Sequence, residues 1–235
     1  MLNSQQMAAV HYIDGPLLVL AGAGSGKTRV ITQKIGYLIN TCGYAANTVC
    51  AVTFTNKAAN EMRARVAAVL PAANRRGLKV ATFHTLGLSM IKRDLALCNL
   101  KKGFSIFDSE DCLQILRGFL PTNKATEREF ILQIQQRISR WKNDCLTPEQ
   151  VVTLASDAPY HEEAALLYPR YQQALKAYNA VDFDDLIRLP VSLLNEHPSV
   201  SEYWQNKIRH LLVDEYQDSN TSQYLLVKKL TGIQA

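Results

Sequence analysis

Four short apolar runs punctuate the chain: LLVLA at 17–21, VCAVTF at 49–54, LKVATF at 78–83 and IRHLLVD at 208–214. They are rich in β-branched or bulky residues, lack strict alternation and end in polar loops, the pattern of strands buried on both faces of a parallel sheet. Between the first two, TRVITQKIGYLI repeats Ile31, Ile35 and Leu38 at helical spacing. After the second, NKAANEMRARVAAVL sets Met62, Val66 and Val69 on one helical face. The order β-α-β-α-β implies right-handed crossovers and a doubly wound α/β core.

From about residue 87 to about 180 the pattern changes to helical periodicity with few strand-like runs. SEDCLQILRGFL predicts a helix begun by Asp108, Ser109 or Glu110 and stopped by Pro121. EREFILQIQQRISRWKN predicts a second. EEAALLYPRYQQALKAYN predicts either one kinked helix or two in series, because Pro169 interrupts it. The expected organisation is a core in two parts, 1–86 and 181–235, with a helical subdomain over 87–180 inserted between them.

Composition narrows the class without naming a function. The 235 residues are 47% hydrophobic and 20% charged, which supports a sizeable core. No apolar run approaches the ~20 residues of a membrane span, and MLNSQQMAAV is unlike a signal peptide, so a cytoplasmic protein is expected. Five cysteines without a C-x-x-C pair suit a reducing compartment, with no disulfide and no structural zinc expected. The net charge of +5 permits nucleic acid as a partner but does not require it.

The chemistry begins directly after the first apolar run, with AGAGSGKT at 21–28. It follows the P-loop pattern G-x-x-x-x-G-K-[ST], with Ala21 in the first position. Backbone N–H groups of Ala21, Gly22, Ala23, Gly24, Ser25 and Gly26 would curl round a β-phosphate at a helix N-terminus. Lys27 would reach the β- and γ-phosphates, and Thr28 would offer its hydroxyl to Mg²⁺. A nucleoside triphosphate is the expected ligand.

A P-loop enzyme needs a second carboxylate for Mg²⁺ at a neighbouring strand end, and RHLLVDEYQDSN provides one. Asp214 ends its strand and suits the metal; Glu215 is placed to polarise a water as general base. An ATPase site follows, with ATP and Mg²⁺ expected.

With AGAGSGKTRV and VDEYQD together, the chain resembles the N-terminal part of the superfamily 1 DNA helicases of the Rep, UvrD and PcrA group. TFTNKAANEM, TFHTLGL, WKND, DFDDLI and WQNKIRHLLVDEYQDSNTSQY extend that likeness from end to end. The resemblance implies a RecA-like P-loop NTPase sheet and an ATP-driven helicase that moves 3′→5′ on single-stranded DNA. It implies that Gln6 reads the adenine, that Arg29 packs on the base and that Gln217 belongs to the nucleotide site. It further implies single-stranded DNA contacts at Phe54, Thr55, Asn56, Thr82 and His84, and at Phe183 where DFDDLI re-enters the core. The acids of DFDDLI are expected to be solvated or locally paired, and Trp141 and Tyr168 to pack in the interior. Implied partners are single-stranded DNA, single/double-strand junctions and replication or repair proteins, with no membrane; the helical insert would touch duplex or displaced strand.

In that family a γ-phosphate-sensing motif and a second RecA-like domain follow the DEYQD block. They are expected beyond Ala235, so this chain alone would bind nucleotide without unwinding. Three other readings stand beside the helicase: a motor subunit of a helicase–nuclease, a non-catalytic nucleotide- or partner-binding domain, and a small-molecule kinase. A nuclease domain would mark the first. Loss of turnover with ATP retained in Glu215→Gln would exclude the second, and the third lacks an acceptor pocket in these residues.

Overall fold

A computed structural model describes residues 2–121, 128–154 and 158–232. It is a helix-rich α/β structure with a parallel sheet, divided into two compact units: 1–86, 199–219 and 230–235 in the first, 87–198 and 220–229 in the second. Among the described residues no helix is long and apolar enough to cross a membrane.

The first unit is built on three parallel strands in the order β2-β1-β5: β1 Val49–Thr53, β2 Lys79–Thr82 and β5 His210–Val213. β1 is central and wholly buried, with Ala51 paired to Val80 on one side and Leu212 on the other. Three of the four apolar runs therefore behave as read. Helices α2 (Lys27–Gly36) and α3 (Asn56–Val69) cover one face. Ile35, Leu38, Met62 and Val66 meet Val49, Ala51, Val80 and Leu212 in one core. A π-helical turn, Tyr37–Thr41, continues α2 and carries Leu38 inward. Helix α1, Ser4–His11, precedes them, closed by a capping box between Asn3 and Gln6.

The run at 17–21 differs from its reading as a strand. It belongs to neither sheet, and Leu17, Leu18, Val19 and Leu20 are 44, 65, 43 and 87% exposed. Apolar composition favours burial, but a strand exists only where a neighbour completes its ladder of hydrogen bonds. No described strand pairs with this run.

The second unit is helical: α5 (Ser109–Arg117), α6 (Arg128–Asn143), α7 (Pro148–Val152), α8 (His161–Ala177) and α9 (Asp185–Glu196), with α4 (Phe83–Arg93) entering it from the first unit. Asp108 caps α5 and Gly118 ends it before Pro121. The helical pattern read from Glu127 begins at Arg128; Glu127 itself lies outside the described residues. Pro169 sits inside α8, which is a single helix. Leu113, Leu116, Ile131, Ile134, Trp141, Tyr168 and Leu175 share one core, so Trp141 and Tyr168 are interior residues as expected. A short parallel pair, β3 (Ser105–Ile106) with β4 (Ala180–Val181), lies in the same unit. Helices α10 (Pro198–Lys207) and α11 (Thr221–Thr231) complete the described elements.

Gly87 in TFHTLGL has a steric reason. A Cβ there would lie 1.8 Å from the Leu186 carbonyl oxygen, so α4 and α9 approach closely only because this position has no side chain.

Candidate active site

The P-loop of the first unit runs from Ala21 to Gly26 and opens directly into α2. Gly26 is the N-cap, at φ +86°, a left-handed geometry that glycine adopts without strain. Gly24 is also left-handed, at φ +72°. The Ser25 N–H closes a turn on the Gly22 carbonyl. Lys27 Nζ folds back over the loop to the carbonyls of Ala21 and Gly22, at 3.3 and 3.4 Å. A lysine ammonium over a glycine-rich loop that opens into a helix N-terminus is an arrangement suited to polyphosphate.

Thr28 and Asp214 stand 186 residues apart in sequence and in hydrogen-bond contact in space: the Thr28 hydroxyl donates to Asp214 Oδ2 at 3.2 Å. The sheet makes this contact. β5 pairs with β1 through the 49↔210 register, and the Asp214 N–H continues the ladder to the Val52 carbonyl, which brings the strand-end acid to the mouth of the P-loop. Asp214 is 5% exposed. Burial lifts its carboxyl above the ordinary range, opposed by the Thr28 hydroxyl bond. A desolvated carboxylate beside a hydroxyl is a set of hard oxygen donors, which fits Mg²⁺.

Glu215 follows in the left-handed region, at φ +51°. Its N–H donates to Asp214 Oδ1 at 3.2 Å, and its Oε2 accepts from the Gln217 amide. The turn separates two adjacent side chains: Asp214 accepts from Thr28, while Glu215 accepts from Gln217. Gln6 Nε2 donates to the Ser25 carbonyl at 2.9 Å, so α1 is fastened to the P-loop by the residue expected at the adenine. Arg29 is exposed on α2. Gln6, the P-loop, Asp214, Glu215 and Gln217 all lie in one compact unit.

The residues expected at DNA take varied positions. Phe54 is half-buried, its ring 5.4 Å from that of the buried Phe83. Thr55 caps α3 by accepting from the Ala58 N–H, and Asn56 is exposed in its first turn. Thr82 is 5% exposed, its hydroxyl 3.0 Å from that of Thr85, so it serves first as an end-cap of α4. His84 is half-buried, and burial lowers its pKa. Phe183 belongs to the second unit and is 54% exposed.

The acids of DFDDLI depart in part from their reading as solvated or locally paired: Asp185 does pair locally with Arg188, but two of the acids are buried on a distant partner. Asp182 and Asp185 are 6 and 3% exposed, and both pair with Lys142, at 2.6 and 2.9 Å. Lys142 is fully buried, the Tyr171 hydroxyl donates to Asp182 Oδ2 at 2.9 Å, and Arg188 pairs with Asp185 at 3.0 Å. The tertiary partner Lys142, 40 residues from Asp182, together with Arg188 makes such burial tolerable. The quoted WKND block carried the signal, but spacing alone did not connect it to DFDDLI.

Comparison with known proteins completes this picture. The description of the UvrD/REP helicase N-terminal domain matches residues 2–235. The chain belongs to this family. It is 51% identical over 234 residues to the ATP-dependent DNA helicase Rep of Escherichia coli (strain K12), covering 100% of this chain and 35% of that protein. It is 46% identical to Rep of Buchnera aphidicola subsp. Baizongia pistaciae (strain Bp), over 99% of this chain and 34% of that one. Against the ATP-dependent DNA helicase PcrA of Bacillus subtilis (strain 168) identity is 40%, over 97% of this chain and 31% of the other. The chain thus spans about a third of the length of these relatives.

Proposed function

We propose that this chain is the nucleotide-binding part of an ATP-driven DNA helicase with a RecA-like core, which translocates 3′→5′ on single-stranded DNA and opens duplex at single/double-strand junctions. The observation that carries the reading is the Thr28–Asp214 contact at 3.2 Å, which joins the two halves of a hydrolytic P-loop site. In this reading Gln6 and Arg29 hold the adenine. The amides of Ala21 through Gly26 and the Lys27 ammonium hold the phosphates. Thr28 and Asp214 would hold Mg²⁺, which would supply the positive charge that neutralises the charge developing on the phosphates. Glu215, oriented by Gln217, takes the proton of the attacking water.

Single-stranded DNA would cross the ends of β1 and β2. There Phe54 offers a ring to a base, while Thr55, Asn56 and His84 address the backbone and Thr82 fixes the turn that presents His84. Phe183, in the second unit, would offer a ring of its own to DNA. Base–aromatic stacking tolerates any sequence, as a translocating motor requires. Replication or repair proteins and a cytoplasmic setting accord with this role.

The deciding experiment is ATP turnover by the full-length protein with and without oligothymidylate, beside Glu215→Gln. DNA-stimulated turnover, abolished in the variant while nucleotide binding persists, is the expected result. Turnover indifferent to DNA would remove the helicase reading, and turnover surviving in Glu215→Gln would remove the general base.

A further inference from the structure

Three sequence blocks meet at one side chain in the second unit. Asn143 ends α6 within WKND. Its Nδ2 donates to the Ser139 carbonyl at 2.9 Å and to Asp184 Oδ1 at 2.8 Å, in DFDDLI. Its Oδ1 accepts from Asn220 Nδ2 at 2.6 Å, in the segment that leaves DEYQD. Both ends of the amide are engaged. The neighbouring pair repeats the link, with the Thr221 hydroxyl on Asp144 Oδ1 at 3.1 Å.

What these bonds hold is specific. Lys142 grips Asp182 and Asn143 grips Asp184, so consecutive residues of α6 clamp the two acids that flank Phe183. The clamp fixes the backbone on either side of an aromatic ring that remains 54% exposed. Asp182 Oδ1 also caps the Asp185 N–H at the start of α9. On the other side, Asn220 uses its Oδ1 to cap α11, accepting from the Gln223 N–H at 3.0 Å, and its own N–H bonds Gln223 Oε1 at 3.1 Å. Its Nδ2 is thereby left for Asn143. Phe183, Asp184, Asn143 and Asn220 line one cavity of about 600 Å³, which keeps this junction beside the surface that Phe183 exposes.

We infer that Asn143 is a positioning residue that couples the Phe183 turn to the Glu215–Asn220 segment, so that DNA occupancy at Phe183 is transmitted to the hydrolytic turn and ATP state is transmitted back. The inference rests on the proposed roles of Phe183 and Glu215. An amide is required because the position must donate to one partner and accept from the other. A carboxylate would repel Asp184, and an apolar residue would engage neither. A shift of either segment therefore costs the other a hydrogen bond, and such coupling is reciprocal for binding.

Asn220→Asp is the informative variant, because it keeps the α11 cap but loses the donor to Asn143. In the full-length protein it is expected to cut the stimulation of ATP turnover at saturating DNA by about fivefold or more, within the usual range of coupling between sites. The KM for ATP without DNA and the unfolding midpoint are expected to stay unchanged. Asn143→Leu should lose the same stimulation, and the double variant should be no worse than the worse single one, because one link is being broken twice. Stimulation kept within about twofold in both singles, losses that add, or a loss that tracks a lowered unfolding midpoint would each overturn the relay. Phe183→Ala separates the levels. Unchanged DNA affinity there would overturn the DNA role of Phe183 and the relay together. Weakened affinity, with stimulation intact in Asn220→Asp, would overturn the relay alone.

Discussion

Lys142 places its ammonium 2.6 Å from Asp182 with no solvent exposure, in the middle of a helical core. Burying that charge is tolerable only because Asp182 and Asp185 both face it and Arg188 balances the second acid. Neighbouring acids raise the lysine's affinity for its proton against the opposing effect of burial. Replacing it by Met keeps the volume and leaves two buried carboxylates short of a cation. Lys142→Met is expected to lose about 3–5 kcal/mol of stability. Urea unfolding monitored by circular dichroism measures it; a loss below about 1 kcal/mol, the range of a surface pair, would show that the network is dispensable.

Gly87 gives a second stability test, of steric origin. Its missing Cβ is what lets the Leu186 carbonyl approach α4. Gly87→Ala adds only one methyl group, and on an exposed helix it would be stabilising. Here it is expected to cost about 1–3 kcal/mol by forcing α4 and α9 apart. A raised melting temperature would contradict the close approach.

Gln6 connects α1 to the P-loop. Its amide holds the Ser25 carbonyl, so Gln6→Ala removes a loop contact together with the proposed adenine reader. ATP affinity is expected to fall by roughly tenfold, about the worth of one good hydrogen bond, and preference for ATP over GTP should shrink. Titration with fluorescent ATP and GTP analogues reads both. An unchanged ATP/GTP ratio would assign Gln6 to loop support alone.

Phe54 packs against Phe83 yet remains half-buried, so part of its ring is open to a base. Phe54→Ala is expected to weaken oligothymidylate binding by about 1–3 kcal/mol, with nucleotide affinity retained. Fluorescence anisotropy at fixed salt is the measurement. Equal DNA affinity in the variant would make Phe54 a packing residue only.

The half-buried His84 carries a pH signature. Burial lowers its folded pKa below the ordinary value of 6.5, so the unfolded chain takes up the proton first as pH falls. Between the folded value and 6.5 the unfolded state binds more protons, and stability therefore rises with pH through that window. His84→Gln is expected to flatten the stability–pH curve just below the ordinary histidine value of 6.5. A variant curve parallel to the parent's would remove the burial argument.

The sequence by itself determined whatever depends on neighbours along the chain. The helical periods of α2, α3, α5, α6 and α8, the caps at Asn3 and Asp108, and the glycines of the P-loop are all local, because one helical turn or one tight turn sets their geometry. The strands β1, β2 and β5 were legible as apolar runs, and AGAGSGKT with DEYQD was legible as chemistry. Tertiary structure decided what depends on partners. It joined Thr28 to Asp214, and it turned the acids of DFDDLI inward onto Lys142. It left LLVL without a ladder although its composition matched that of the buried strands. It spent Thr55 and Thr82 on helix caps and brought Asn143 between Asp184 and Asn220. The division has one physical reason. Helix and turn preferences arise within a few residues, whereas the burial of a charge or the pairing of a strand depends on a group that the chain brings near only by folding.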